Sequence, residues 1–170
     1  MTRNRSLTFL AGAAVIALVA LAVAGCGGGA TGGSATIGVA TTGLGSTLVD
    51  STCRTLYLFQ KDAGTRSACA GACATDWPPL RASGKPTLGS GVNPALVSTT
   101  TRSDGAAQVT YNGHPLYLYE GDAKPGDTAG QGVTAFGAQW YALGPAGNQV
   151  AAQPSNSDGA NSNGDGGNGY

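Results

Sequence analysis

The sequence predicts an all-β fold with little helix, in which two copies of a short β-hairpin repeat pack as one small sandwich or barrel-like domain. Three observations lead to this prediction. Short runs of aromatic and β-branched residues are bounded by turn residues, Asn-Gly and Asp-Gly dipeptides mark hairpins, and no segment keeps a 3.6-residue apolar period. The chain has 170 residues, which suits one ordinary domain.

The N-terminal 25 residues are typical of a secretory signal. Arg3 and Arg5 supply a positive start, and an uncharged apolar run covers residues 7–24. The segment Leu21–Cys26 resembles the bacterial lipobox, which implies cleavage before Cys26 and fatty acyl chains such as palmitate at that residue. We therefore expect a lipid anchor that holds the mature protein on the extracytoplasmic face of the cell membrane. The alternative is an uncleaved transmembrane helix.

The remaining chain divides by composition. Residues 26–35 are a Gly-rich tether, residues 36–152 are the β-rich domain with repeats at about 41–84 and 101–147, and residues 153–170 are a polar tail expected to be disordered. Without Arg3 and Arg5, seven basic and nine acidic residues leave a net charge of −2. This balance argues against a nucleic-acid partner, because nothing would neutralise a phosphate backbone.

Strands and turns can be assigned along the domain. The predicted strands are Thr55–Gln60, Gln108–Tyr111, Pro115–Glu120 and Trp140–Leu143. The predicted turns are Ser103–Gly105, Tyr111–His114 and Gly144–Asn148. Asn93 and Pro94 are typical of the start of one helical turn, as cap and first residue.

An internal duplication is the most informative feature of the sequence. The segment Leu56–Asp62 returns as Leu116–Asp122, and Trp77–Leu80 returns as Trp140–Leu143. Upstream, Val49 precedes Cys53 as Val109 precedes Gly113, which places a cysteine at a turn position that favours glycine. We therefore expect two related β-units packed about a pseudo-twofold axis, with the first turn differently shaped.

Each copy carries a Tyr-x-aromatic-x-x-Asp motif, formed by Tyr57, Phe59 and Asp62 and by Tyr117, Tyr119 and Asp122. Together with the lipobox-like segment, these two motifs resemble the predicted bacterial lipoproteins known for this motif, also described as the secreted repeat of unknown function. The resemblance covers roughly residues 40–150. It implies a class of protein and a location, and it implies no activity.

The motif can also be interpreted as a strand. Alternation puts Tyr57 and Phe59 on one face and Leu56 and Leu58 on the other, and both faces are apolar, as in a strand buried between layers. The aspartates Asp62 and Asp122 fall just after the strands, where a carboxylate commonly accepts backbone N–H groups of a turn. The alternative is a pair of carboxylates facing one cleft, as in a sugar hydrolase.

Three cysteines remain in the domain if Cys26 is lipidated. The separation of Cys69 and Cys73 fits bridging distance, so we expect a Cys69–Cys73 disulfide. Cys53 would then be the odd thiol, either free and reactive or bridged to another chain, unless it pairs with Cys69 or Cys73. A zinc site formed by these cysteines and His114, or His114 as a haem or copper(I) ligand, is a further alternative.

These observations lead to a functional expectation. The protein is expected to be a membrane-anchored extracytoplasmic lipoprotein, a non-enzymatic binding or structural module of the cell envelope without a cofactor. Its expected partners are membrane lipid, through Cys26, and an envelope protein or glycan. The alternative is an extracytoplasmic redox, haem- or metal-handling protein that uses Cys69, Cys73 and His114.

Overall fold

The structure is a computed structural model, and it describes residues 34–151. Its elements are β1 (Thr36–Thr42), β2 (Gly45–Val49), β3 (Tyr57–Phe59), α1 (Ala72–Asp76), β4 (Thr87–Leu88), a 3₁₀ turn (Pro94–Leu96), β5 (Val97–Thr101), β6 (Ala107–Tyr111), β7 (His114–Pro115), β8 (Thr134–Ala135) and β9 (Ala138–Ala142). The prediction of an all-β fold with little helix is confirmed.

The strands of the described residues form three small sheets and no closed barrel. In the first sheet β1 lies between β2, which is antiparallel to it, and β4, which is parallel to it. In the second sheet β9 lies between β3 and β8, and in the third β6 lies between β5 and β7. Most pairings are antiparallel, as expected from hairpin connections.

The two predicted dipeptide turns differ in conformation. Asn112 and Gly113, which join β6 to β7, have φ angles of 49° and 81°, so both residues are left-handed as the sequence predicts. Between β5 and β6 only Gly105 is left-handed, with a φ of 80°. The Asp104 carboxylate instead accepts the Ala106 N–H at 3.0 Å and stabilises this turn from its side chain.

The two other loop signals are also confirmed. The Gly144 N–H donates to the Asn148 carbonyl at 2.9 Å and closes the predicted third turn. Asn93 caps the 3₁₀ turn, because its side-chain oxygen accepts the Ala95 N–H at 3.0 Å while Pro94 occupies the first helical position.

One predicted strand is wrong. The run Pro115–Glu120 contributes only the end of β7 (His114–Pro115). Downstream, Tyr117 makes two isolated bridges, one with Tyr57 and one with Pro79. The Leu118 N–H donates to the Pro78 carbonyl at 2.8 Å, but Pro78 has no N–H to donate in return, so the pairing on that side cannot extend into a regular ladder.

The two repeats exchange their Trp-x-x-Leu segments. The N–H of Leu143, from the second repeat, donates to the carbonyl of Leu56 in the first at 3.0 Å. Correspondingly, the N–H of Leu80, from the first repeat, donates to the carbonyl of Leu116 in the second at 2.8 Å. Each motif is therefore covered by a segment of the other copy, and neither copy can be completed alone.

The backbone hydrogen bonds also correct the alignment of the two copies. The N–H of the leucine that opens each motif donates to the carbonyl of Leu48 in the first copy and of Val109 in the second, at 2.9 and 3.0 Å. Leu48, and not Val49, is thus the counterpart of Val109. The first turn is one residue longer than the second, and within it Cys53 has a φ of 62°.

The core has an aliphatic and an aromatic half, on opposite faces of the first motif. The aliphatic half consists of Ile37, Leu48, Leu56, Leu58, Leu80, Val109, Tyr111, Leu116 and Leu143. The aromatic half consists of Tyr57, Phe59, Cys69, Cys73, Trp77, Tyr117, Trp140 and Ala142. This division confirms the alternation predicted for residues 56–59, because both faces of that strand are buried.

Candidate functional site: the paired tyrosines and aspartates

The motif residues of the two copies are hydrogen-bonded crosswise. The Tyr57 hydroxyl donates to Asp122 Oδ2 at 2.7 Å, and the Tyr117 hydroxyl donates to Asp62 Oδ2 at 2.9 Å. The backbones of the two tyrosines are paired as well, since each N–H donates to the carbonyl of the other at 2.8 and 3.0 Å. Each tyrosine is thus bound to the aspartate of the other repeat and not to that of its own.

The second oxygen of each aspartate holds the loop that follows it. Asp62 Oδ1 accepts the Ala68 N–H at 2.7 Å, and Asp122 Oδ1 accepts the Ala129 N–H at 2.9 Å. Each carboxylate therefore accepts one phenol and one backbone N–H, from a position six or seven residues further along the chain. This arrangement ties a surface loop to the centre of the domain in both copies.

Burial shifts the pKa of all four groups upward. It raises the pKa of Asp62 from 3.8 to about 6, although the Ala68 N–H, the Tyr117 hydroxyl and Arg102 act in the opposite direction. Burial also raises the pKa of the Asp122 carboxyl. Desolvation and the neighbouring aspartate raise the pKa of both the Tyr57 and the Tyr117 phenols, which therefore keep their protons.

Asp62 should make stability depend on pH. Its carboxyl binds a proton more tightly in the folded state, so the stabilisation is complete below pH 3.8 and is lost as pH rises through about 6. We expect the free energy of unfolding of the unmodified protein to fall by about 2 kcal/mol, relative to Asp62→Asn, between pH 4 and pH 7. Urea unfolding of both proteins across this range measures the difference. A constant difference would contradict the prediction.

A buried arginine supports the Asp62 site. One terminal nitrogen of Arg102 donates to Ser67 Oγ at 2.9 Å and to Gln108 Oε1 at 2.6 Å, and the other donates to the Cys69 carbonyl at 2.6 Å. The Ser67 hydroxyl lies 2.8 Å from that of Tyr117. Sequence reasoning missed this network, because a single arginine beside an Asp-Gly turn gives no indication that it will be buried.

The Cys69–Cys73 disulfide is present, with its Cα atoms 5.2 Å apart. Both cysteines are buried in the aromatic half of the core. The bridge joins Cys69, in the loop before α1, to Cys73 in the first turn of α1. At the end of that helix the Trp77 N–H donates to the Cys73 carbonyl at 2.8 Å. The disulfide thus fixes the segment that delivers Trp77 to the core.

Four rings form a continuous stack through this half of the core. Phe59 stacks on Trp140 with ring centroids 4.0 Å apart, Trp140 on Trp77 at 3.9 Å, and Trp77 on Tyr119 at 4.2 Å. The order is symmetric, because Phe59 and Tyr119 are equivalent in the two motifs, as are the two tryptophans. Phe59, Trp77 and Trp140 are almost fully buried, so the stack does not form an exposed platform for a sugar.

His114 lies apart from the cysteines. It is half-buried at the start of β7, burial lowers its pKa, and it borders a cleft of about 490 Å³ whose lining also includes Asp62 and Gln149. Cys69 and Cys73 do not border this cleft, and as a disulfide they offer no thiolate to a metal ion. Within residues 34–151 no group of three potential metal ligands occurs. The described residues therefore do not form the zinc site that was considered for the three domain cysteines and His114.

Two further expectations concern Cys53 and the anchor. The described residues include no free cysteine, so the expectation of a free reactive thiol at Cys53 is wrong. Cys26, the signal segment and the polar tail lie outside the described residues. In the part of the chain that the structure describes, no helix has the length and apolar character needed to cross a membrane.

Comparison with known families adds a name for the repeat. The family described as the secreted repeat of unknown function matches residues 38–81 and 98–143, which together are more than half of the chain. No curated protein and no solved structure matches. The two matched segments contain the two motifs that are hydrogen-bonded to each other. The chain thus belongs to the family of the secreted repeat of unknown function and carries that repeat twice.

Proposed function

We propose that the protein is a lipid-anchored extracytoplasmic lipoprotein and a non-enzymatic binding or structural module of the cell envelope, with an envelope protein or glycan as its partner. A secreted repeat is consistent with an extracytoplasmic location. The lipobox-like segment ending at Cys26 supports the anchor. The Gly-rich residues between Cys26 and β1 would hold the domain at a distance from the membrane surface.

The observation that carries the non-enzymatic part is the use of the motif residues inside the core. Tyr57 and Tyr117 are 0% exposed and Asp122 is 5% exposed. Their polar groups are bonded to each other and to loop backbone, so they have no open side for a substrate. Groups arranged in this way stabilise a fold, and they cannot approach a bond that is to be broken.

The two carboxylates also lack the arrangement of a hydrolase pair. Such a pair flanks the bond to be cleaved from one shared cleft. Asp62 borders the cleft that contains His114, and Asp122 is not among the residues that line it. Each carboxylate instead faces a phenol of the other repeat. This arrangement supports a structural role for both aspartates.

The anchor is tested in the producing bacterium by feeding an alkyne analogue of a fatty acid and separating membrane from soluble material. We expect the unmodified protein to carry the label and to sediment with the membrane. Cys26→Ala should lose the label, because no other residue offers a thiol at the lipobox. Cys69→Ala/Cys73→Ala is the matched control, since it removes two cysteines that form a disulfide in the domain and should keep the label.

Two results would overturn the proposal. A Cys26→Ala protein that still carries the fatty-acid label would show that the anchor lies elsewhere. Unmodified protein that is unlabelled and found in the soluble fraction would show that the protein has no lipid anchor. The non-enzymatic part fails separately, if the purified protein turns over an envelope glycan and either Asp62→Asn or Asp122→Asn abolishes that turnover while remaining folded.

A further inference from the structure

The aromatic half of the core combines oxidisable rings with proton acceptors. Trp77 and Trp140 stack face to face with centroids 3.9 Å apart and an interplanar angle of 6°. Tyr57 packs edge-on against Trp77 at 5.5 Å, and Tyr117 packs edge-on against Trp140 at 5.1 Å. Tryptophan and tyrosine are the side chains that lose a single electron most readily after the thiolate. Here two of each are in direct contact.

Each of the two edge-on tyrosines has a base at its hydroxyl. The Tyr57 hydroxyl is 2.7 Å from Asp122 Oδ2, and the Tyr117 hydroxyl is 2.9 Å from Asp62 Oδ2. These distances lie within the range of about 2.6–3.2 Å that proton transfer requires. A phenol that loses an electron becomes a strong acid, so it forms a neutral radical only where a base can take its proton. Burial raises the pKa of both carboxyls, which makes them better acceptors.

The stack reaches the surface at one oxidisable end. Tyr119 stacks on Trp77 at 4.2 Å and is only partly buried. It borders a cleft of about 280 Å³ together with Glu120 and Phe136. The opposite end of the stack is Phe59, which is buried and whose ring has no phenol or indole to oxidise. An oxidant in solution therefore meets the stack at Tyr119.

We propose that this stack is a redox site that takes one oxidising equivalent from an oxygen-centred radical at Tyr119 and holds it as a buried tyrosyl radical at Tyr57 or Tyr117. The oxidant gains one electron and becomes its anion, for example a peroxyl radical becoming a hydroperoxide anion that solvent protonates. Tyr119 keeps its phenol proton and recovers its lost electron from Trp77, and the electron deficit on Trp77 can pass to Trp140. Finally the O–H bond of Tyr57 breaks, its electron fills the tryptophan hole, and its proton passes to Asp122 Oδ2. Tyr117 and Asp62 can perform the same step.

Pulse radiolysis tests this site with the azide radical, which oxidises tryptophan. The reference protein is the full chain in detergent carrying Tyr111→Phe, Tyr141→Phe and Tyr170→Phe, so that Tyr57, Tyr117 and Tyr119 are the tyrosines left in the sequence. We expect the indolyl radical to be replaced by a phenoxyl radical in a first-order step whose rate does not depend on protein concentration. In Asp62→Asn/Asp122→Asn this rate should fall at least tenfold. Asp50→Asn, which alters a carboxylate that accepts the Thr52 and Arg54 N–H groups after β2, should leave it unchanged.

Measurements in D2O keep the test decisive if the double variant does not fold. The phenol proton moves together with the electron, so the rate in the reference protein should fall at least twofold in D2O. The proposal is overturned if the indolyl radical decays only in a concentration-dependent way. It is equally overturned by an unchanged rate in folded Asp62→Asn/Asp122→Asn, or by equal rates in H2O and D2O. It does not depend on the lipid anchor.

Discussion

Gly130→Ala is expected to lower the free energy of unfolding by about 3 kcal/mol. A Cβ at this position would lie 2.8 Å from Cζ of Tyr57 and 2.9 Å from Cη2 of Trp77. Both rings are held on their other sides by aromatic neighbours, so neither can move without disturbing the stack. The Gly130 N–H also donates to the Tyr57 hydroxyl at 3.3 Å, and this bond would lengthen as the backbone shifts.

Two glycines serve as controls for this substitution. A Cβ at Gly43 meets nothing within 4 Å and its φ is not positive, so Gly43→Ala should change stability by less than about 0.5 kcal/mol. Gly126 is also open but has a φ of 81°, so Gly126→Ala should cost about 1 kcal/mol through backbone strain alone. Urea unfolding measures all three variants. A loss below about 1 kcal/mol for Gly130→Ala would show that the stack yields easily.

Asp122→Ala should also cost about 3 kcal/mol, because it leaves the Tyr57 hydroxyl and the Ala129 N–H without an acceptor. The loss should be smaller, about 1 kcal/mol, when Tyr57 is already phenylalanine, since the phenol that needed an acceptor is gone. The coupling energy between Tyr57 and Asp122 is then about 2 kcal/mol. A double-mutant cycle in urea measures it.

The crosswise pairing predicts which cycle shows coupling. The same Asp122→Ala substitution in a Tyr117→Phe background should cost nearly as much as in the unmodified protein, because the Tyr117 hydroxyl is bonded to Asp62. A cycle of Tyr57→Phe with Asp62→Ala should likewise show little coupling. Strong coupling between Tyr57 and Asp62, the two residues of one motif, would contradict the crosswise arrangement.

Much of this fold could be predicted from local patterns. Alternation in residues 56–59 correctly assigned the two faces of β3, the Asn-Gly dipeptide correctly marked the β6–β7 turn, and the spacing of Cys69 and Cys73 correctly indicated their disulfide. Each of these features is decided by residues within a few positions of one another, so a local pattern contains the required information.

Predictions failed where the decisive partner is distant in sequence. The second motif looks like a strand, yet its pairing stops because Pro78, brought from the other repeat, accepts the Leu118 N–H but has no N–H to donate in return. The burial of Arg102 depends on Ser67 and Cys69, more than thirty residues away. The free-thiol interpretation of Cys53 followed from counting cysteines, and a count does not show which of them are bonded.

The sequence by itself determined that the chain carries two copies of one aromatic β-motif, with both faces buried and an aspartate after each. Only the tertiary structure decided that the copies exchange segments, so that Tyr57 binds Asp122 and Tyr117 binds Asp62. The physical reason is that the repeats are chemically equivalent. A tyrosine bonded to its own aspartate would satisfy the same local pattern, and only the long-range packing of the two tryptophans and the exchanged segments selects the crosswise pairing.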